Sequence, residues 1–177
     1  MSGGFIVGFD TDSPSIFQRQ IDFIQQSGIV SAMVGLLNAP KNTKLYKRLE
    51  IEKRLTVDPT GNNTDATMNF IPKMSMDKLM EGYSSIIQNI YSVKPFYKRI
   101  RRSLLNYKRQ SRKKKVNLYY LGAFFKSIII LGIVSKGRTE YWKFMIWTLF
   151  HRPGLFVDAI TYSIYGYHFR MVYGLKK

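Results

Sequence analysis

The chain of 177 residues contains no cysteine. That absence excludes a disulfide framework and removes the thiolate ligands on which cysteine-held zinc and iron–sulfur sites depend. Histidine is nearly as scarce. His151 and His168 are too few for a histidine-rich metal site, and no His-Glu-x-x-His spacing occurs, so each is expected to take an ordinary surface or core role. The first residues lack a basic stretch followed by an apolar run and a small-residue cleavage site, so no secretory signal is expected. Acidic residues are missing from one half of the chain. Residues 1–91 balance nine Lys/Arg against nine Asp/Glu, whereas residues 92–177 hold nineteen basic residues and only Glu140 and Asp158 as acids. The whole net charge of +17 therefore sits in the second half, and the shift near Ser92 predicts two modules, 1–91 and 92–177.

What is present begins with Gly3-Gly4-Phe5-Ile6-Val7-Gly8-Phe9-Asp10-Thr11-Asp12, an apolar run that leads into two carboxylates. Small and branched apolar residues in this density predict a strand covered on both faces within a parallel sheet. Such a strand needs hydrogen-bonding neighbours on its edges, so the expectation is a C-terminal piece of a longer protein whose other strands precede Met1. Ser13 and Pro14 predict a helix start, with Ile16, Phe17, Ile21 and Ile24 on one face and Gly28 as its stop. Ile29 to Leu37 is again apolar almost throughout, which completes a strand–helix–strand unit with a right-handed crossover. After Asn38-Ala39-Pro40 a second helix turns Leu45, Tyr46 and Leu49 inward and Lys47, Arg48, Glu50 and Lys53 outward. In sheets of this kind ligands bind outside the carboxyl ends of the strands, here Phe9–Asp12 and Leu37–Ala39. Asp12 and Asn42 could equally cap helices. Asp10 is less suited to that role.

Residues 56–66 form a polar run of turn formers, followed by the extended segment Met68–Ile71 and a helix over 76–91 whose inner face is Leu79, Tyr83, Ile86, Ile87 and Ile90. Beyond Lys94-Pro95 a helix carries Phe96, Tyr97, Ile100, Leu104 and Tyr107 on one side. Lys98, Arg101, Arg102, Lys108 and Arg109 lie mostly on the other, and the helix leads into Arg112-Lys113-Lys114-Lys115. A basic face of this density suits anionic lipid head groups or a solvated surface. Nucleic acid is not an expected partner, because no recognition-motif spacing and no aromatic-studded β platform is present. Asn117–Val134 is the most apolar stretch and approaches the ~20 residues of a bilayer span. Lys126 at its centre costs roughly 2.5–3.5 kcal/mol on insertion, so the stretch reads as a buried or interface-lying helix. Two further helices, 138–150 and 154–173, are rich in aromatics and cations. The three together resemble a membrane-surface module and would equally serve as a helical cap on the first module.

Gly4-Phe5-Ile6-Val7-Gly8 with Asp12 downstream resembles the glycine-x-isoleucine-x-glycine motif of radical SAM enzymes. The stretches SGGFIVGFDTDSPSIFQRQIDFIQQSGI, AMVGLLNAPKNTKLYKRL, GNNTDATMNFIPKM and FVDAITYSIYGYHFR are similar, more narrowly, to a subfamily with a cobalamin-binding domain, a radical SAM barrel and a C-terminal domain of unknown function. Hopanoid methylases are among its relatives. The resemblance implies an α/β fold, the last two βα units of a partial (β/α)6 barrel followed by an all-α basic domain, from an enzyme that methylates or rearranges an apolar substrate. It implies S-adenosylmethionine, a four-iron four-sulfur cluster and cobalamin as the cofactors of the full-length family. With the cluster cysteines absent, the chain alone is expected to hold none of these stably and to be inactive. Ile6 and Gly8, with Gly4 in the same motif, are implied as adenine contacts, and Leu37 and Asn38 as the adenine edge. Asp10 and Asp12 depart slightly from the usual acidic spacing. The implied partner is the remainder of the barrel with its cobalamin domain, and the implied location is cytoplasmic or at the inner face of the membrane.

Overall fold

A computed structural model describes residues 2–56, 66–107 and 118–175. Strand β1 (Ser2–Val7), helix α1 (Ser15–Ser27) and strand β2 (Ser31–Leu36) form the expected βαβ unit, and the two strands pair as a small parallel sheet. The register at its carboxyl end is set by Leu37 N, which donates to Val7 O at 2.8 Å. Gly28 ends α1 with a φ of +72°, a left-handed conformation that only glycine adopts without strain. Helix α2 spans Lys44–Ile51 and α3 Met76–Tyr91. Thr43 caps α2 by accepting from Tyr46 N at 3.1 Å, so the cap falls one residue after Asn42, which instead takes a positive φ of 69° in the preceding turn.

Helix α4 (Val93–Asn106) begins before Pro95, which sits in the first turn where an amide donor is not needed. Helix α5 (Leu118–Ser127) continues into a π-helical segment, Ile128–Val134, closed by Ser135 N donating to Ile130 O. Helix α6 (Arg138–His151), a short 3₁₀ turn and α7 (Phe156–Val172) follow. Among the described residues no helix is long and apolar enough to cross a membrane. The polar segment 57–65, Lys108, Arg109 and the basic run 112–115 lie outside the described residues.

Two compact units result: Gly3–Phe23 with Ala32–Gln88, and Asn89–Lys177 with Met1–Ser2 and Ile24–Ser31. The first buries Val7, Phe17, Ile21, Val34, Leu36, Leu49, Phe70, Leu79, Ile86 and Ile87. The second is built on aromatics: Tyr91 stacks on Phe169 at 4.9 Å and Tyr97 lies against Phe144 at 5.4 Å. Its least expected core residue is Arg99, fully buried, which donates to Ile90 O at 2.6 Å.

The two expected βα units are present as a two-stranded parallel sheet, and a barrel takes more strands than the described residues hold. The architecture differs from the expectation in two respects. Neither strand is covered on both faces: Ser2, Gly4 and Ile6 of β1 and Met33 of β2 are exposed, because within the described residues nothing packs over that face. Tyr107, expected on the inner side of α4, is exposed one residue past the end of that helix.

Candidate functional site

The site grows from the turn that leaves β1. Gly8 has a φ of +103°, and a Cβ there would meet Met68 Cε at 3.2 Å and Leu79 Cδ2 at 3.4 Å. The close approach that its missing side chain permits is thus taken by the protein's own Met68. Asp12 then folds back on the turn: its Oδ2 accepts from Gly8 N at 2.9 Å and from Phe9 N at 3.0 Å. A carboxylate that receives two amide donors holds a strand end rather than capping α1.

This turn sends Asp10 towards α2 and the segment after it. Arg54 grips Asp10 with two nitrogens, Nη2 to Oδ1 at 2.7 Å and Nη1 to Oδ2 at 3.1 Å, and Arg48 Nη2 adds a third bond to Oδ2 at 2.8 Å. Arg54 is itself held by Glu52 Oε2 at 2.7 Å and by Ile71 O at 2.8 Å, with its guanidinium 5.7 Å from the Phe70 ring centre. The Arg54 hydrogen bonds hold the Asp10 carboxyl below the usual carboxylate value despite the opposing effect of burial, with the charges of Arg54, Arg48 and Lys73 acting in the same direction. The same pair pushes the Arg54 guanidinium further up. Asp10 is therefore held ionised, with both carboxylate oxygens engaged by arginine donors. It can orient cations but is poorly placed to take a proton.

The second strand ends in a matching lock. Asn38 Nδ2 donates to Thr67 O at 3.0 Å and Asn38 Oδ1 accepts from Asn69 N at 3.1 Å. The buried Asn69 side chain answers by accepting from Ala39 N at 2.8 Å and donating to Ala39 O at 2.9 Å. Four bonds of this kind fix the segment before Phe70 against the carboxyl end of β2, much as a paired strand would. Leu55 and Phe70 add an isolated antiparallel bridge.

Between these two fixed ends lies a cleft of about 400 Å³, lined by Phe9, Asp10, Leu37, Lys44, Leu45, Arg48 and Phe70. It sits outside the carboxyl ends of β1 and β2, where parallel sheets place ligands. Its walls are apolar and aromatic, and Lys44 and Arg48 stand on α2 as cations. Such a cleft suits a small molecule with a flat or apolar body and an anionic end.

Of the residues singled out from the sequence, Asp10 and Leu37 line this cleft. Asn38 supports it through Asn69, and Gly8 and Asp12 shape the turn that presents Phe9 and Asp10. Gly4 and Ile6 stand apart from it on β1: nothing lies within 4 Å of a Cβ built on Gly4, and the Ile6 carbonyl accepts from Gln20 Nε2 at 2.9 Å. The residues missed were Arg54, Phe70 and Asn69, together with the bond of Arg48 to Asp10, which Arg48 makes while staying half-exposed on the outer side of α2 as expected. The sequence signal that could have found Arg48 is its spacing of four from Lys44, one turn along the same helix. Among the described residues no group of three or more His, Asp or Glu is placed to hold a metal ion.

A family model described as Domain of unknown function (DUF4070) matches residues 43–175. An uncharacterized methyltransferase of Synechocystis sp. is 30% identical over 170 residues, covering 94% of this chain and 32% of that protein. The hopanoid C-2 methylase of Rhodopseudomonas palustris is 26% identical over 151 residues, 81% of this chain and 28% of the methylase. The bacteriochlorophyllide d C-12(1)-methyltransferase of Chlorobaculum tepidum is 29% identical over 107 residues, 60% of this chain and 23% of that enzyme. The chain thus spans a third or less of the length of the curated relatives it matches. No solved structure matches it.

Proposed function

The chain belongs to the family described as Domain of unknown function (DUF4070), and from that premise we propose that it forms one wall of the S-adenosylmethionine site in a methyltransferase that acts on an apolar substrate. The observation that carries the reading is the cleft at the carboxyl ends of β1 and β2. Its apolar walls suit an adenine ring, and Lys44, with Arg48 held beside Asp10, suits a carboxylate. Three relatives named as methyltransferases or methylases support the type of reaction, and two of those names specify hopanoid and bacteriochlorophyllide substrates.

In this reading Phe9, Leu37 and Phe70 cover the faces of the adenine, and the backbone beside Leu37 and Asn38 offers the edge contacts that the sequence resemblance implies. Arg48 and Lys44 face the amino-acid end. Asp10 and Arg54 act as positioning residues, because they hold Arg48 in place instead of touching the reacting atoms. S-adenosylmethionine, when bound, supplies the activated methyl group or, with an iron–sulfur cluster, the deoxyadenosyl fragment of radical chemistry. The donor set of this chain does not fit such a cluster, since it contains no cysteine. The cluster and any cobalamin therefore belong to the further barrel strands and cobalamin domain of the family, the partner of this segment.

Ultraviolet cross-linking with methyl-labelled S-adenosylmethionine tests the reading. Label is expected on the peptide that holds Phe9 or the one that holds Leu37, with competition by S-adenosylhomocysteine. Label confined to residues beyond Ser92, or insensitive to the competitor, would remove it.

A further inference from the structure

The C-terminal unit carries an apolar surface that nothing covers among the described residues. Helix α5 with its π-helical continuation and helix α6 form a hairpin joined by Ser135, Lys136 and Gly137. The two arms are cross-linked by Ser127 Oγ with Tyr141 OH at 3.0 Å and by Trp142 Nε1 donating to Gly132 O at 3.0 Å. One face of the hairpin is core: Leu131, Tyr141, Phe144, Met145 and Thr148 are buried. Among the described residues nothing packs over the other face. Phe125, Ile129, Ile133 and Val134 on the first arm and Ile146, Leu149 and Phe150 on the second are all between 53% and 78% exposed.

The spacing gathers the exposed side chains of each arm on one face of that arm. On α6, Trp142, Ile146, Leu149 and Phe150 follow the i, i+4, i+7, i+8 pattern of a single helix face. On the first arm Phe125, Ile129 and Ile133 recur every four residues. Trp142 joins the stripes through its bond to Gly132. Large contiguous apolar patches on a water-soluble surface mark an interaction site.

The charge around the patch identifies the occupant. Lys126, Lys136, Arg138 and Lys143 edge the hairpin, and its one acid, Glu140, is already bonded to Lys143 Nζ at 3.1 Å. At the turn, Lys136 and Arg170 line a cleft of about 380 Å³ whose walls include Ile130 and Val134. Arg170 is buried with its guanidinium 5.9 Å from the Phe96 ring centre, so Lys136 is the cation this cleft presents to solvent. An apolar face rimmed by cations and anchored by a tryptophan is the signature of an element that lies in the plane of an anionic bilayer. Helix α6, with 14 residues, is about 21 Å long, too short to span.

We propose that the α5–α6 hairpin seats this protein on anionic membrane surfaces. The apolar stripe enters the acyl boundary, while the exposed cations Lys126, Lys136, Arg138 and Lys143 meet lipid phosphates.

Vesicle flotation tests it, with phosphatidylcholine alone and with phosphatidylglycerol added. The wild type is expected to float with the anionic vesicles and to lose most of that binding in high salt. The double variant Ile133→Glu with Phe150→Glu changes two exposed positions, so its circular dichroism should be unchanged while anionic-vesicle affinity falls at least about tenfold. Lys136→Glu gives a second reading: weaker binding to anionic vesicles without loss of helix content. Equal binding to both vesicle types, no binding to either, or a double variant as tight as wild type would each overturn the proposal. So would light scattering that showed a wild-type dimer split by Phe150→Glu, since the face would then be a contact between copies of this chain.

Discussion

Asp10 and Arg54, 44 residues apart in sequence, meet as a two-point ion pair at 2.7 and 3.1 Å, with side chains only 12% and 15% exposed. The pair joins the turn after β1 to the segment after α2, and the cleft lies beside it. Because both groups are largely covered, losing one leaves the other short of partners.

Asp10→Asn keeps the size and removes the charge. We expect a loss of about 1–3 kcal/mol in urea unfolding at neutral pH. The pH dependence follows from the depressed carboxyl pKa of Asp10 in the fold. As pH falls the unfolded chain takes up that proton first, so the contribution is full above about pH 5 and is lost as the pH drops through the folded value. The stability gap between wild type and Asp10→Asn should be constant near neutrality and close below about pH 4. A gap that stayed constant into acid would mean that the carboxylate charge is not its source.

Asn69→Ala removes the amide that satisfies both Ala39 N and Ala39 O. Leaving two buried backbone groups unpaired should cost about 2–4 kcal/mol. Hydrogen exchange at the Ala39 amide should accelerate more than exchange in α3. If the two sites speeded up equally, the Asn38–Asn69 lock would have no local role.

The two motif glycines should respond differently to alanine. Gly8→Ala meets Met68 and a left-handed backbone, so a cost of about 1–3 kcal/mol is expected. Gly4→Ala meets open space and should stay within about 0.5 kcal/mol. Thermal unfolding of the two variants compares them directly. Equal effects would contradict the packing role given to Met68.

The βαβ unit was legible because its signals are local. Two apolar runs, a helix-period face and Gly28 as a stop lie within the first 37 residues, and α3 was readable over 76–91 for the same reason. The family resemblance was legible too, while the rule that parallel sheets bind ligands at the carboxyl ends of their strands pointed to Phe9–Asp12 and Leu37–Ala39. What stayed hidden was long-range and polar. No pattern in sequence ties Arg48 and Arg54 to Asp10, or Asn69 to Ala39, because side-chain hydrogen bonds have no period. The stretch 117–134 was readable as apolar but not as half-exposed: amphipathic pattern needs polar residues opposite, and here both faces of Ile128–Val134 are apolar.

Arg99 extends that lesson to the second unit. It lies in the core with its guanidinium 5.2 Å from the Phe96 ring centre and 5.8 Å from that of Tyr91, while Nη1 serves the end of α3 through Ile90 O. Arg99→Lys loses the planar fork and the stacking, so a loss of about 2–3 kcal/mol is expected by chemical denaturation. A near-neutral result would show that charge alone suffices.

The central claim is that the carboxyl-end cleft holds part of S-adenosylmethionine, and amide-resolved NMR of the labelled chain titrated with that molecule tests it most directly. Because this chain forms only one wall of the proposed site, binding should be weak. The account predicts shifts that saturate only at high ligand concentration at the Phe9, Asp10, Leu37 and Asn38 amides, shared with adenosine and weakened by Arg48→Ala only for S-adenosylmethionine. Saturable shifts that bypass those four amides, or none at any ligand concentration, would contradict it.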